Sequence, residues 1–516
     1  MVGSAQRVSL GYPVTLTVRS REQFTKYRAP QFTTRSVRLP KTLGTTSASC
    51  TVAWLLPGVL HRTLGADLIH APGGGNQTVS LLLYAVSALG SLRQFALTAN
   101  LDNEETLYFI NATLGTPAQS LRLHLDTGSS DLWVNTASSA LCTQTSQPCA
   151  FAGTYDANSS STYEYVGSWF NISYVDGSGA SGDYVTDTMS IGGTTVSDFQ
   201  FGIGYTSSSS QGILGVGYAV NEVQVGRAQL SAYDNLPAKM KSEGKITSNA
   251  YSLWLNDLDA STGQILFGGV DTDQFQGELQ TLPIQAEGSV YAEFLITLTG
   301  VSFSGETIAE DQALAVLLDS GSSLTYLPNS MVETIYDRVS AQYDSNEGAA
   351  YIACSKANDN ATLDFTFSSP VISVEMNELV LDLVTASGKR PRFSDGTEAC
   401  LFGIAPAGSS SMVLGDTFLR SAYVVYDLEN NEISIAQTNF NATTSNVLEI
   451  GSGTDAVPSA TAVANAVAAT GLSDSTTIAG GFGLKNAAPR LTDGVALSAA
   501  VGAVVAVAFG AGAALF

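Results

Sequence analysis

Two stretches of this chain repeat each other. Leu123-His124-Leu125-Asp126-Thr127-Gly128-Ser129-Ser130 is echoed by Val316-Leu317-Leu318-Asp319-Ser320-Gly321-Ser322-Ser323. Each is an apolar run ending in Asp-Thr/Ser-Gly-Ser-Ser. Each is followed by two apolar residues and a glycine: Ile213-Leu214-Gly215, 89 residues after Asp126, and Val413-Leu414-Gly415, 96 residues after Asp319. Two matching elements at matching spacing define an internal duplication, so the chain is expected to fold as two related halves.

From about Glu104 to Phe440, short apolar or alternating segments are cut by Gly, Ser, Asn and Asp. Leu107–Thr113, Leu121–Leu125, Asn171–Val175, Gln264–Phe267 and Tyr423–Asp427 are examples. The pattern predicts an all-β body. Asn329–Gln342 is the clearest exception, because Val332, Ile335, Tyr336 and Val339 follow helical spacing.

The repeated motif has a definite chemistry. Gly128 and Gly321 let the backbone turn sharply and approach closely. The hydroxyl residues around them can hydrogen-bond the Asp carboxylates and nearby backbone. If a pseudo-twofold brings both turns together, two carboxylates meet. They cannot both ionise, so one proton is shared. One carboxylate then acts as base and the other as acid on a water nucleophile, which suits amide hydrolysis at acidic pH.

Composition removes the competing classes. The 516 residues carry 23 basic and 46 acidic side chains, a net charge of −23, which argues against nucleic acid as a partner. The charge is uneven: residues 1–95 hold ten Lys/Arg and two Asp/Glu, and the remainder thirteen and forty-four. A basic leader on an acidic body suggests a targeting segment or an electrostatic cover for an acidic cleft. The three His are His61, His70 and His124, and two lie in the leader. A His-dependent nucleophile or a multi-His metal site is therefore disfavoured. No metal and no cofactor is expected. His124 is read as structural or surface-facing, not catalytic.

Further residues carry a family resemblance over about 340 positions. Tyr108 and Gly115-Thr116-Pro117 precede the first motif. Trp133 stands in Asp131-Leu132-Trp133-Val134, and Tyr174 in Ile172-Ser173-Tyr174-Val175-Asp176-Gly177-Ser178. With both Asp turns, Gly212-Ile213-Leu214-Gly215 and Val413-Leu414-Gly415-Asp416, the chain resembles the pepsin-type aspartic endopeptidases of fungi. It is similar in particular to the GPI-anchored, yapsin-like surface proteases. The resemblance implies a bilobal fold with the active site in a cleft between two pseudo-twofold-related lobes. Asp126 and Asp319 would be the catalytic dyad, supported by Thr127, Gly128, Ser129, Ser320, Gly321 and Ser322. Tyr174, Asp176 and Gly177 would belong to a hairpin flap over the substrate, with the Tyr174 hydroxyl placed by Trp133. Peptides and proteins would be the substrates. By the same resemblance, Asp176 implies a preference for Lys or Arg just before the cut.

Three departures from the family pattern stand out. Val175 replaces the Gly that usually follows the flap Tyr, which would stiffen the flap. Ser320 stands where many relatives carry Thr. The usual propeptide is not recognisable in the sequence. A catalytically silent surface or cell-wall binding protein on the same fold is the alternative function, disfavoured by intact motifs in both halves.

Cys142, Cys149, Cys354 and Cys400 lie in the body, and four cysteines allow three pairings. The resemblance implies Cys142–Cys149 and Cys354–Cys400, leaving Cys50 in the leader. Sequons stand at Asn76, Asn111, Asn158, Asn171, Asn360 and Asn441. With an even cysteine count they favour the secretory route, with glycosylation expected at the last five.

Val495–Phe516 is a 22-residue uncharged stretch, long enough to span a bilayer. Small residues at Asn486-Ala487-Ala488 and a short polar spacer precede it. This is the layout of a GPI-attachment signal with Asn486 as the attachment site, and a transmembrane anchor is the alternative. The expected organisation is a leader or propeptide-like segment at 1–96, whose start reads like a misassigned gene beginning. A first lobe at 97–290 and a second at 291–445 follow. Residues 446–494 read as a flexible Ser/Ala/Thr/Gly-rich stalk, and 495–516 as the hydrophobic tail. A monomer at the cell surface or outside the cell is expected.

Overall fold

The computed structural model describes residues 96–384 and 388–472, together with two short leader strands. The chain divides into two units, Met1–Arg93 and Gln94–Phe516. In the first, Tyr12–Val14 pairs antiparallel with Val37–Leu39. Cys50, Asn76, His61, His70, the apolar runs of the leader, Asn486 and the 495–516 tail lie outside the described residues.

The second unit is built almost wholly of strands. In Gln119–Asp126, Leu121, Leu123 and Leu125 are buried at alternate positions, which is the period-2 signature of a strand against a core. This strand pairs antiparallel with Tyr108–Leu114 and parallel with Gly212–Gly215, setting Leu125 opposite Leu214 and Asp126 opposite Gly215. The second half repeats the arrangement. Leu314–Leu318 pairs antiparallel with Leu295–Leu298 and parallel with Met412–Leu414, with Leu318 opposite Leu414. In each half the apolar-apolar-Gly strand also meets the strand that leaves the Asp turn. Ile213 faces Trp133, and Val413 faces Tyr326. The sequence echo is thus an echo in topology, and it makes Tyr326 the counterpart of Trp133.

The boundary at 290 does not separate two independent sheets. A single 14-stranded sheet runs through the unit. Ala422–Asp427 pairs antiparallel with Ala250–Trp254, and Glu432–Thr438 with Phe275–Pro283. Strands from the end of the second half therefore complete the sheet of the first. A linear division cannot register such long-range pairing.

Two expectations need correction. The helix spans Asn329–Val339, short of Gln342, because Ser340 adopts a left-handed conformation at φ 61° and the chain continues as strand Gln342–Asp344. Its expected inner face, Val332, Ile335, Tyr336 and Val339, is buried. The flexible stalk does not begin at 446. Val447–Glu449 pairs with Gly269–Asp271, and Ala460–Ala462 lies parallel to Phe275–Pro283. Ile450 and Val457 are buried beside Trp254, Val270, Leu279 and Tyr423. The Thr470 N–H donates to the Ala313 carbonyl at 2.9 Å. Residues 446–472 form a strap: a few apolar anchors and the open backbone of an edge strand outweigh the linker-like composition.

Cys142–Cys149 and Cys354–Cys400 form the two disulfides, closing loops separated by 7 and 46 residues. Asn111, Asn158, Asn171, Asn360 and Asn441 are all exposed.

Candidate active site

The two Asp turns meet face to face. In the first, the Gly128 N–H donates to Asp126 Oδ1 at 2.8 Å, and the Ser129 hydroxyl donates to Asp126 Oδ2. In the second, the Gly321 N–H donates to Asp319 Oδ1 at 2.8 Å, and the Ser322 hydroxyl donates to Asp319 Oδ2 at 2.7 Å. Each glycine lies against the opposite carboxylate. A Cβ on Gly128 would stand 2.5 Å from an Asp319 oxygen, and a Cβ on Gly321 would collide with an Asp126 oxygen in the same way.

Thr127 and Ser320 lock the turns together. The Ser320 N–H donates to the Thr127 hydroxyl oxygen at 3.0 Å, and the Thr127 N–H to the Ser320 hydroxyl oxygen at 3.2 Å. Each hydroxyl then donates across the interface, Thr127 to the Leu318 carbonyl at 2.9 Å and Ser320 to the Leu125 carbonyl at 3.0 Å. Both side chains are buried.

Burial first, and then the neighbouring Asp319 carboxylate, push Asp126 well above the usual carboxylate range. The pair therefore holds a proton where isolated carboxylates would have lost theirs. Two such groups, one protonated and one not, can polarise a carbonyl and activate a water in one step.

The segment expected to be the flap is a hairpin of Glu164–Ser173 and Gly179–Ile191. The expected strand Asn171–Val175 ends at Ser173, because Tyr174–Ser178 forms the turn: the Tyr174 N–H donates to the Ser178 carbonyl at 2.8 Å, and Gly177 takes φ 83°. The Asp176 carboxylate accepts from the Ser178 N–H at 2.8 Å and is exposed with Val175 and Gly177 at the tip. Trp133 Nε1 donates to the Tyr174 hydroxyl at 2.8 Å. Burial and then the Asp126 charge hold that hydroxyl well above its ordinary pKa, so it stays protonated. Across the cleft, burial and the charges of Asp319 and Asp176 push the Tyr326 phenol up to about 12.

His124 is structural. It is buried, its ring lies 5.9 Å from that of Phe109, and burial pushes its pKa down to about 4. Beneath the second turn, Asp416 is fully buried and neither of its oxygens has a hydrogen-bond partner among the described residues. Burial and nearby Asp319 hold it well above the carboxylate range, although the Arg420 guanidinium pulls the other way. Arg420 is committed to Glu378, with Nε 2.5 Å from Oε2, and to the Glu105 carbonyl. Sequence reasoning did not single out Tyr326, Arg420 or Glu378. Only the motif containing Asp416 hinted at this layer.

A two-lobed β fold with paired Asp turns and a tyrosine-bearing flap defines the pepsin-like aspartic proteases. The family model described as eukaryotic aspartyl protease matches residues 107–438. The chain is 63% identical over 374 residues to the probable aspartic-type endopeptidase opsB of Aspergillus oryzae, covering 71% of this chain and 76% of that one. It is 57% identical over 394 residues to the opsB protein of Aspergillus fumigatus, covering 75% and 79%. Secreted aspartic protease 3 of Candida albicans is 37% identical over 363 residues, covering 69% and 85%. The crystal structure of the aspartic proteinase from Irpex lacteus superposes with a TM-score of 0.55 at 23% identity, over 68% of this chain and all of that one. The chain belongs to the eukaryotic aspartyl protease family and is an aspartic-type endopeptidase.

Proposed function

We propose that Asp126 and Asp319 are the catalytic dyad and cleave peptide bonds at acidic pH. A water between the two carboxylates loses its proton to the ionised one and attacks the scissile carbonyl. The protonated one donates to the carbonyl oxygen, and the amide nitrogen then leaves with a proton from the dyad. Tyr174 closes over the substrate, its hydroxyl held by Trp133. The observation that carries this reading is the reciprocal support of the two turns, in which each carboxylate has its own Gly N–H and Ser hydroxyl.

The expected substrates are secreted or cell-surface proteins. Two disulfides and five exposed sequons support passage through the secretory route. The chain beyond the strap carries a lipid or membrane anchor. Asp176 at the flap tip, whose charge acts on Tyr326 across the cleft, supports a preference for a cationic side chain just before the cut. Matched peptides with Lys and Leu at that position test it, and equal rates would discard it.

The test of the dyad is cleavage of a protein substrate across pH by the full chain and its Asp126→Asn variant. Acid-dependent activity, blocked by a statine-type transition-state mimic and lost in the variant, is expected. An active Asp126→Asn enzyme would sink the reading. A folded chain that cleaves nothing would leave a missing activation step or a silent binding protein, and binding of the mimic in that state would favour the former.

A further inference from the structure

Five residues beyond Asp126, the chain buries a second acidic side chain that takes no part in the dyad. Asp131 is 1% exposed and stands at the point where the catalytic turn becomes strand Leu132–Asn135. Its carboxylate receives three hydrogen bonds from two other parts of the fold. The Tyr184 hydroxyl donates to Oδ1 at 2.5 Å, the Tyr233 hydroxyl donates to Oδ1 at 2.9 Å, and the Val223 N–H donates to Oδ2 at 2.8 Å. Tyr184 belongs to the returning strand of the flap hairpin, and Val223 and Tyr233 to the segment after the first apolar-apolar-Gly strand. The Asp131 carbonyl also accepts from the Gly215 N–H at 3.0 Å, tying it to that strand.

The surroundings fix the segment 222–233 as a brace beneath the flap. Glu222 is fully buried and its Oε2 accepts from the Tyr233 N–H at 2.9 Å. Burial and then the Asp131 charge push Glu222 up to about 10, and burial raises Asp131 as well, although its three hydrogen bonds pull the other way. Arg227, from the same segment, donates through Nη1 to the Asn171 carbonyl on the outgoing flap strand. Between brace and flap lies an apolar cluster of Trp133, Phe170, Ile172, Tyr184, Ile213 and Val223, against which Tyr174 packs.

We propose that Asp131 is a positioning residue for catalysis: one carboxylate fixes the flap stem and the 222–233 brace relative to the Asp126 turn. This rests on the dyad reading above. A buried carboxyl with three donors converging on it makes directional bonds, so the apolar wall beneath the flap is held in register with the reacting carboxylates. An ordinary core residue would hold the same elements together without fixing their offset.

The test uses the full-length enzyme, with competent sites counted by a tight-binding statine-type inhibitor. Asp131→Ala is expected to lower kcat/KM per competent site by roughly ten- to a hundredfold, the scale of an ångström of misplacement. The loss is expected to be larger for peptides with a bulky apolar side chain before the cut than for those with alanine, and the pH profile should keep its shape. Asp131→Asn keeps one acceptor for the tyrosine hydroxyls and should recover part of the loss. If Asp131→Ala does not fold, the double variant Tyr184→Phe with Tyr233→Phe carries the same comparison. Wild-type kcat and KM per competent site, with only a lowered Tm, would overturn the proposal. Asp126→Asn is measured alongside: its retained activity would refute the dyad reading, while the Asp131 series still reports on positioning.

Discussion

Thr127 and Ser320 exchange backbone and hydroxyl hydrogen bonds in both directions, each serving the other's N–H and reaching the carbonyl before the opposite Asp. The arrangement is closed, so removing one member strands buried groups on the other side. Thr127→Val should leave the Ser320 N–H and the Leu318 carbonyl unpaired, at about 1–3 kcal/mol for each stranded group. Denaturant unfolding of Thr127→Val, Ser320→Ala and the double variant would measure it. The double variant should cost less than the sum of the singles, because the two side chains share their partners.

The glycines of the two turns should be intolerant for a reason unrelated to turn conformation. Neither Gly128 nor Gly321 has a positive φ. Each instead lies against the opposite carboxylate. Gly128→Ala should force Asp319 out of place and lower kcat by about a hundredfold or more, while Tm moves only a few degrees. An Ala variant with normal kcat would show that the turns can separate without loss.

Stability should fall as pH rises from acid. Glu222 is raised from 4.5 to about 10, and Asp126, Asp131 and Asp416 are also raised. A raised carboxyl binds its proton more tightly in the folded state. Its contribution is fully present below the unfolded value near 4.5 and is lost as pH climbs towards the folded value. His124 works in the opposite sense: lowered from 6.5 to about 4, it costs stability as pH falls through that range. The carboxyls outnumber it, so Tm should decline between about pH 5 and 8. One proton accounts for a slope of about 1.4 kcal/mol per pH unit. Glu222→Gln, which keeps an acceptor for the Tyr233 N–H, should flatten that slope. An unchanged slope would mean that Glu222 is already ionised in the folded enzyme.

The strap should contribute to the fold. Ile450 is fully buried among Val270, Leu279 and Tyr423. Ile450→Ala is expected to cost about 2–5 kcal/mol. A chain ended at 445 should unfold at lower temperature than one ended at 472, and equal melting points would return the segment to the status of a linker.

Much of the site is written in local sequence. The Asp turns and their serines sit in short motifs that the duplication checks against each other, and the flap tyrosine and Trp133 sit in short motifs of their own. What local patterns cannot carry is pairing across distance. Asp131 looks like one more turn residue until Tyr184, Val223 and Tyr233 converge on it from 53, 92 and 102 positions away. Tyr326 is recognisable as the partner of Trp133 only through its register with Val413. The strap has the composition of a linker, because Ala, Ser, Thr and Gly dominate it and only two buried apolar residues, Ile450 and Val457, pin it down.

The shared sheet also sets a schedule. Ser252 pairs with Val425, which the ribosome adds 173 residues later. At cellular synthesis rates that interval is roughly 10–35 s. Throughout it, the strand Ala250–Trp254 has an open edge that only the end of the chain can close. The first half therefore cannot finish folding as a nascent domain, and an unpaired edge of this kind invites wrong partners. Maturation of this protease is a race between completing its own sheet and lending that edge to a neighbour.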